Sequence, residues 1–278
     1  MRNHVVAIQG SVSSFHDLAA KKYFGEDVNI VECNSFRDVC DQLSKNQVDY
    51  GIIAIENKVA GSILLNYQLI DEFDLSIIGE TYLPIELHLL GKKGTKLSDV
   101  KEIISHPMAL GQCQYFLTSL ENVTATEYRD TATSAQLIAK ENDNHLAVIA
   151  GPMIEERYDL ERIVDNVGDE KINYTRFYIL SKGKDYDENS DKASITLQTK
   201  NEIGCLSDVL AILKKNKVNL TKIQSVPIPH NTTAYAFHLD IEFDDKQILE
   251  QSMKEIDPYV ISQKILGIYK KGNSDNKY

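Results

Sequence analysis

The chain has 278 residues, 42% of them hydrophobic and 26% charged, with a formal net charge of -11. That length exceeds what a single core usually organises, and the composition excludes a disordered or fibrous chain. The acidic balance argues against nucleic acid as a partner, because phosphate recognition needs a concentrated basic surface.

The apolar run at residues 5–8 is too short for a signal-peptide core and lacks a small-residue cleavage site. No stretch approaches the roughly 20 apolar residues a bilayer-spanning helix needs. The expectation is a cytoplasmic protein with no membrane partner. Cys33, Cys40, Cys113 and Cys205 are widely spaced, without ligand-type histidine neighbours, and read as reduced, buried thiols.

Apolar runs at residues 4–9, 29–33, 50–55, 75–78, 87–90, 103–104 and 146–150 read as strands. Amphipathic stretches at 14–24, 35–44, 62–73, 109–120 and 131–141 read as helices, with Ser14, Ser35, Ser62 and Thr131 placed to cap them. This alternation predicts a parallel-sheet α/β architecture. Two similar halves emerge, one ending near Gly79 and one running from Tyr82 to about Asp169, and the run around Thr175 returns as a late strand. Two lobes imply a cleft. Beyond Leu180 the chain turns polar, as a linker does. A new unit then reads strand (193–199), helix (205–215), strand (219–226), strand (234–242), helix (246–256) and strand (260–268), the ferredoxin-like βαββαβ order. The tail from Lys270 is polar and predicted to fray.

The sequence contains no Gly-x-Gly-x-x-Gly, no phosphate-binding Gly-Lys-Ser/Thr loop, no His-Glu-x-x-His and no Gly-x-Ser-x-Gly. His88, His145 and His238 have no partner at metal-ligand spacing and are expected to be structural. Polar groups do gather at predicted strand ends, where α/β sheets present residues to a ligand. Gln9-Gly10-Ser11-Val12-Ser13-Ser14-Phe15-His16 offers free N–H groups and hydroxyls for an anion, or only a cap at Ser14. Ile55-Glu56-Asn57-Lys58-Val59-Ala60-Gly61-Ser62 delivers Glu56 and Asn57 to a loop, or is a plain turn. Ser105-His106-Pro107-Met108-Ala109-Leu110-Gly111-Gln112-Cys113 places a proline for a first helical turn. Asp130-Thr131-Ala132-Thr133 is a further helix start, an anion site or a cap. Asn173-Tyr174-Thr175-Arg176-Phe177 is a strand whose plain reading gives Arg176 an ordinary ion pair.

In this order the five segments resemble the prephenate dehydratase family over nearly the whole chain. Thr175-Arg176-Phe177 preceded by Asn173 is the most specific match; Glu56-Asn57, His106-Pro107, Gln112-Cys113 and Thr131-Ala132 correspond to other family blocks. Gly204-Cys205-Leu206-Ser207 and Asn219-Leu220-Thr221-Lys222-Ile223 resemble the opening helix and second strand of an ACT domain. The resemblance implies a two-lobed α/β catalytic region like type II periplasmic binding proteins, over residues 1–181, with lobes of about 1–80 plus 172–181 and 81–171. A linker at 182–192 and a ferredoxin-like ACT domain at 193–272 follow. It also implies phenylalanine biosynthesis, prephenate as substrate, no cofactor or metal, a homodimer or homotetramer, and L-phenylalanine as effector at Gly204, Cys205, Leu206, Asn219, Leu220, Gln224 and Ser225.

Several positions depart from the family pattern. Residues 10–16 replace Gly-Pro-x-Gly-Thr-Tyr-Ser, Lys58 replaces a serine and Met108 a glutamine. Gln224-Ser225-Val226-Pro227 replaces Glu-Ser-Arg-Pro, and the lost charges predict weak or absent phenylalanine binding.

The implied reaction expels CO2 and a ring hydroxyl from a dianion, and aromatisation drives it. Thr175 is the expected proton donor to the leaving oxygen. Ser14, Asn57 and Thr131 are the expected anion clamps, Glu56 organises them, and Phe177 walls the ring. Strand alternation turns Asn173 and Thr175 one way, as substrate contacts, and Arg176 the other. Arg176 therefore either binds a carboxylate or, as alternation favours, ties the lobes together. An enzyme preferring arogenate and a two-lobed binding protein without catalysis are the alternatives.

Overall fold

The computed structural model describes residues 4–128, 131–141, 143–183, 189–227 and 235–273. Its first part comprises β1 (Val5–Gln9), α1 (Phe15–Phe24), β2 (Asn29–Cys33), α2 (Phe36–Ser44), β3 (Tyr50–Asn57), β4 (Gly61–Ser62), α3 (Leu64–Glu72) and β5 (Ser76–Pro84). Next come β6 (His88–Gly91), β7 (Glu102–Ser105), α4 (Pro107–Gly111), α5 (Gln114–Thr118), β8 (Thr124–Glu127), α6 (Thr131–Lys140), β9 (Leu146–Ala150), α7 (Met153–Tyr158) and β10 (Glu161–Val164). β11 (Tyr174–Ser181) follows, and then β12 (Lys192–Thr199), α8 (Cys205–Lys215), β13 (Asn219–Pro227), β14 (Tyr235–Glu242), α9 (Lys246–Ile256) and β15 (Val260–Tyr269).

The strands form three sheets, ordered β2-β1-β3-β11-β5, β10-β6-β9-β7-β8 and β13-β14-β12-β15. The first two are mixed rather than parallel. β11 returns from the second lobe and enters the first sheet antiparallel to both β3 and β5. In the second sheet β6 runs antiparallel to β9 and β10. The first lobe's last strand reaches Pro84, a few residues beyond the expected lobe boundary.

Ser14 and Ser35 cap α1 and α2, their hydroxyls accepting from the N–H groups of Asp17 and Asp38. Ser62 does not cap α3. It pairs with Glu56 in β4, and α3 starts after Ile63 without a side-chain cap. Thr131 is already the first helical residue of α6. The helix expected over 109–120 breaks in two because Asp169 intervenes. Its carboxylate accepts from the N–H groups of Gln114 and Tyr115, and its own N–H donates to the Gln112 carbonyl. β8 and β10 escaped the sequence reading because both are largely exposed edge strands with no apolar run.

Period-two alternation divides the first lobe's core. Phe177 and Ile179 join Val6, Ile8, Ile52 and Ala54 on the α1 side of the sheet. Tyr178 and Leu180 join Ala7, Ile53 and Ile55 on the α2 and α3 side. Each fully buried isoleucine, leucine, valine or phenylalanine among them contributes roughly 1.5–3 kcal/mol. Phe15 packs against both lobes' cores and rests on Gly151, where an added Cβ would lie 2.9 Å from the ring.

The C-terminal unit has the expected βαββαβ order and an all-antiparallel sheet around its own core. Residues 228–234 of that unit, 184–188 of the linker and 274–278 of the tail lie outside the described residues. β15 docks on β5 so closely that a Cβ on Gly267 would stand 1.9 Å from the Ile77 carbonyl oxygen. Buried charges fill the junction. Arg176 pairs with Glu80 and Asp240, and Lys192 lies 2.9 Å from Glu80. Asp240 also accepts from the Tyr178 hydroxyl at 2.9 Å and from Ser194 at 2.6 Å. Burial pushes the Asp240 carboxyl up, but Arg176, Ser194 and Lys192 outweigh it and hold it below the usual carboxylate range.

All four cysteines are buried and free. The three histidines expected to be structural each have a local bond: His88 Nδ1 accepts from the Asn166 N–H, His145 meets the Asp99 carbonyl, and His238 meets the Thr196 hydroxyl. Burial lowers both His16 and His238 to about 4. Among the described residues no helix is long and apolar enough to cross a membrane.

Asp240→Asn removes one counter-charge of Arg176 and is expected to destabilise the full chain by about 3–5 kcal/mol, the cost of breaking a buried pair. Urea unfolding measures it, and a loss below 1 kcal/mol would contradict the network's role. The histidines predict a pH effect. Folding depresses their pKa from 6.5 to about 4, so their contribution is intact above 6.5 and is lost as pH falls through that window. Thermal scans should show Tm falling more steeply between pH 6.5 and 4 than between 8 and 6.5.

Candidate active site in the interlobe cleft

Between the lobes lies a cavity of about 390 Å³. The first lobe lines it with the loop after β1, with Ala54 and Asn57 of β3, and with Thr175 and Phe177 of β11. The second lobe adds His106, Met108, Ala109, Gln112, Thr131 and Ala132. Asn57 and Ala54 share the cleft face despite their odd spacing, because the register of β3 against β11 shifts between Glu56 and Ala54.

At the mouth of β11 the side chains form one connected chain of hydrogen bonds. Asn57 Oδ1 accepts from the backbone N–H groups of Val59 (3.0 Å) and Ala60 (2.9 Å). Those donors fix its orientation, so Asn57 Nδ2 must donate on its other side, to Thr175 Oγ1 and Asn173 Oδ1, both at 2.9 Å. Gln112 closes the ring, donating to Asn57 Oδ1 at 3.2 Å and accepting from Asn173 Nδ2 at 3.1 Å. Asn57, Asn173 and Thr175 are nearly enclosed, at 7%, 8% and 8% exposure. The Thr175 oxygen is occupied as an acceptor, and its hydrogen has no side-chain acceptor among the described residues.

Of the expected site residues, Ser14, Asn57, Thr131, Thr175 and Phe177 line the cavity. Asn173, expected as a substrate contact, does not line the cavity but stands behind Asn57 as its support. Glu56 and Arg176 face away and are corrections to the expected substrate set. Glu56 pairs with Lys222 of β13 at 2.8 Å, while Arg176 lies in the junction with the C-terminal unit, so it ties the first lobe to that unit rather than to the second lobe. The residues opposite each other across β3 and β11 explain this: Thr175 pairs with Asn57, and Arg176 with Glu56. Lys58 is exposed, with its Nζ over the Tyr174 ring, 5.8 Å from the centroid, and does not line the cavity.

Within the hydrogen-bonded chain, Gln112 is the residue missing from the expected set. Its signal was its place in a matching block, but its role depends on the helix break at Asp169. In the altered first loop, Gly10 (φ 92) and Ser13 (φ 73) both take the left-handed region, Ser13 where the family pattern has glycine. A second, polar cavity of about 470 Å³ adjoins the first through Gln9, Gly10 and Ser11 and contains Arg157, whose Nη1 donates to Ser13 Oγ at 3.2 Å.

The effector residues expected from sequence lie in the C-terminal unit. Gly204 (φ 86) precedes α8, Cys205 is buried beside the Tyr259 carbonyl, and Leu206 follows in the helix. Asn219, Leu220, Gln224 and Ser225 lie along β13, and the Gln224 amide donates to the Ser225 carbonyl. Val226 is buried in the first lobe's core cluster, together with Tyr67, Leu266 and Tyr269.

Comparison with known proteins gives one answer at the level of family. The family profile described as "Prephenate dehydratase" matches residues 6–185. The chain is 32% identical over 264 residues to a prephenate dehydratase of Methanocaldococcus jannaschii, covering 92% of this chain and 94% of that protein. It is 31% identical over 268 residues to a bifunctional chorismate mutase/prephenate dehydratase of Aquifex aeolicus, covering 96% and 73%. A solved structure described as GqqA, a novel type of quorum quenching acylase, superposes with a TM-score of 0.85 at 25% identity, covering 98% of this chain and 99% of that one. The profile spans well over half of the chain and the Methanocaldococcus relative is matched almost end to end, so the chain belongs to the prephenate dehydratase family.

Proposed function

We propose that the interlobe cleft converts prephenate to phenylpyruvate, with Thr175 giving the proton that lets the ring hydroxyl leave as water. The observation that carries this reading is the bond from Asn57 Nδ2 to Thr175 Oγ1, which makes the threonine oxygen an acceptor and leaves its O–H to donate into the cavity. Hydroxide is a poor leaving group, so a positioned donor lowers the barrier. The electron pair of the breaking carbon–carboxylate bond moves into the ring, CO2 departs, the C–O bond breaks toward the proton donor, and water from solvent reprotonates Thr175.

Serving as clamps, Ser14 and Thr131 stand at the starts of α1 and α6, where N–H groups and the helix dipole favour negative charge. Among the described residues the cavity lining contains no lysine or arginine. Phe177, 1% exposed, is the apolar wall for the ring. An acylase mechanism would need a hydroxyl that hands its proton to a base. Thr175 instead receives a hydrogen bond from an amide that cannot take a proton, which favours the dehydratase reading.

The C-terminal unit is, on this reading, an ACT domain spanning 193–272 behind a linker at 182–192, in a homodimer or homotetramer of cytoplasmic protein. Val226 packs into the junction with the first lobe, where the family pattern has a charged residue, and Gln224 bonds to its own strand. Both favour weak effector binding.

Thr175→Ala is expected to leave the fold intact and lower phenylpyruvate formation by at least about two orders of magnitude, whereas Thr175→Ser keeps the hydroxyl and most of the rate. Near-normal turnover in the alanine variant would sink the assignment. Prephenate and arogenate assayed side by side identify the preferred substrate. Calorimetry of the full chain with L-phenylalanine is expected to show weak binding or none, and tight saturable binding would overturn that expectation.

A further inference from the structure

His16 stands in the cleft but takes no part in the amide chain. It occupies the place of the family pattern's serine in the altered first loop. Its ring stands edge-on to Phe177, with centroids 5.1 Å apart and an interplanar angle of 85°, and tilts against Phe36 at 5.4 Å. Two aromatic contacts therefore fix its position. His16 lines the cavity, yet its Nε2 is enclosed and has no hydrogen-bond partner among the described residues, and the same holds for the Ser11 hydroxyl of the same loop. Buried polar atoms are normally satisfied. Two unsatisfied ones in one wall of one cavity mark groups that a ligand completes.

We propose that His16 and Ser11 hydrogen-bond the ring carboxylate of the substrate, which makes His16 a substrate-contacting residue that sets specificity for that group. The proposal rests on the dehydratase reading. Phe177 lies two residues beyond Thr175 on the same strand face, a rise of about 7 Å. Prephenate carries its hydroxyl and its ring carboxylate at opposite ends of a six-membered ring, a comparable span. With the hydroxyl at Thr175, the carboxylate falls beside Phe177 and the imidazole packed on it.

The chemistry favours a neutral donor there. The ring carboxylate loses its charge as it becomes CO2, so a fixed cation would hold the ground state more strongly than the transition state. Burial keeps the His16 imidazole neutral, with its pKa lowered to about 4. It can donate from an N–H without adding a full positive charge to a cavity whose described lining residues include no lysine or arginine.

The test uses the full chain and steady-state kinetics with prephenate, with circular dichroism checking that each variant folds. His16→Phe keeps the aromatic packing and removes the donor, while Ser11→Ala deletes only a hydroxyl. KM is expected to rise about tenfold or more in His16→Phe, the scale of losing one hydrogen bond to a charged group, with kcat changed far less. Ser11→Ala should shift KM in the same direction. In His16→Ala, added imidazole should restore KM in part, which a merely structural histidine would not show. Wild-type KM in both His16→Phe and Ser11→Ala, or a fall in kcat at constant KM, would overturn the inference while leaving the dehydratase reading in place. A wild-type chain that turns over neither prephenate nor arogenate would overturn both. Should His16→Phe fail to fold, Ser11→Ala and the imidazole experiment decide in the same terms.

Discussion

Strand β11 holds the molecule together because its successive side chains serve opposite faces. Thr175 points into the cleft and receives the Asn57 amide, while Arg176, one residue on, points into a sealed junction between Glu80 and Asp240. Adjacent residues of a strand cannot share a face. The central position of β11, between β3 and β5, then makes one peptide the meeting point of the cleft and the C-terminal unit. Any shift that disturbed the Arg176 charges would be felt by the backbone that carries Thr175.

The two faces handle charge in opposite ways. In the junction, Arg176 and Lys192 are matched by Glu80 and Asp240, all at most 4% exposed, and hydroxyls of Tyr178, Ser194 and Tyr269 complete the network. Burying such ions is tolerable only when each finds a partner, since desolvation of an unpaired charge costs several kcal/mol. In the cleft the described lining residues are amides, hydroxyls, helix starts and apolar rings, without lysine or arginine. Such a site can bind a dianion through many N–H and O–H donors while leaving it free to lose charge during reaction.

Within the cleft, orientation follows from the backbone. The N–H groups of Val59 and Ala60 fix the Asn57 carboxamide, that carboxamide fixes which way the Thr175 hydroxyl can donate, and Asn173 and Gln112 brace it. Gln112 comes from the other lobe, so the alignment of Thr175 depends on the closeness of the lobes. Phe15, seated on Gly151 and touching both cores, is part of what sets that distance.

Much of this was written in local sequence. Short apolar runs announced the buried strands, serine caps announced α1 and α2, the βαββαβ order was readable from spacing alone, and alternation already separated Asn173 and Thr175 from Arg176. The polar edge strands β8 and β10 were invisible, because strands that bury little carry no apolar signature. The antiparallel entry of β11 was also hidden, since strand direction is decided by where the chain returns after building a second lobe. Glu56 looked like a neighbour of the cleft because it precedes Asn57, but its place opposite Arg176 on the other face of the sheet and the approach of Lys222 turned it to the C-terminal unit. The helix break that delivers Gln112 required Asp169, more than fifty residues away in the chain. The sequence by itself determined which residues could do the chemistry, because side-chain type and strand period are local properties. Only the tertiary structure decided which of them meet, because register, strand direction and capping by distant carboxylates arise from contacts between segments that the chain order does not place together.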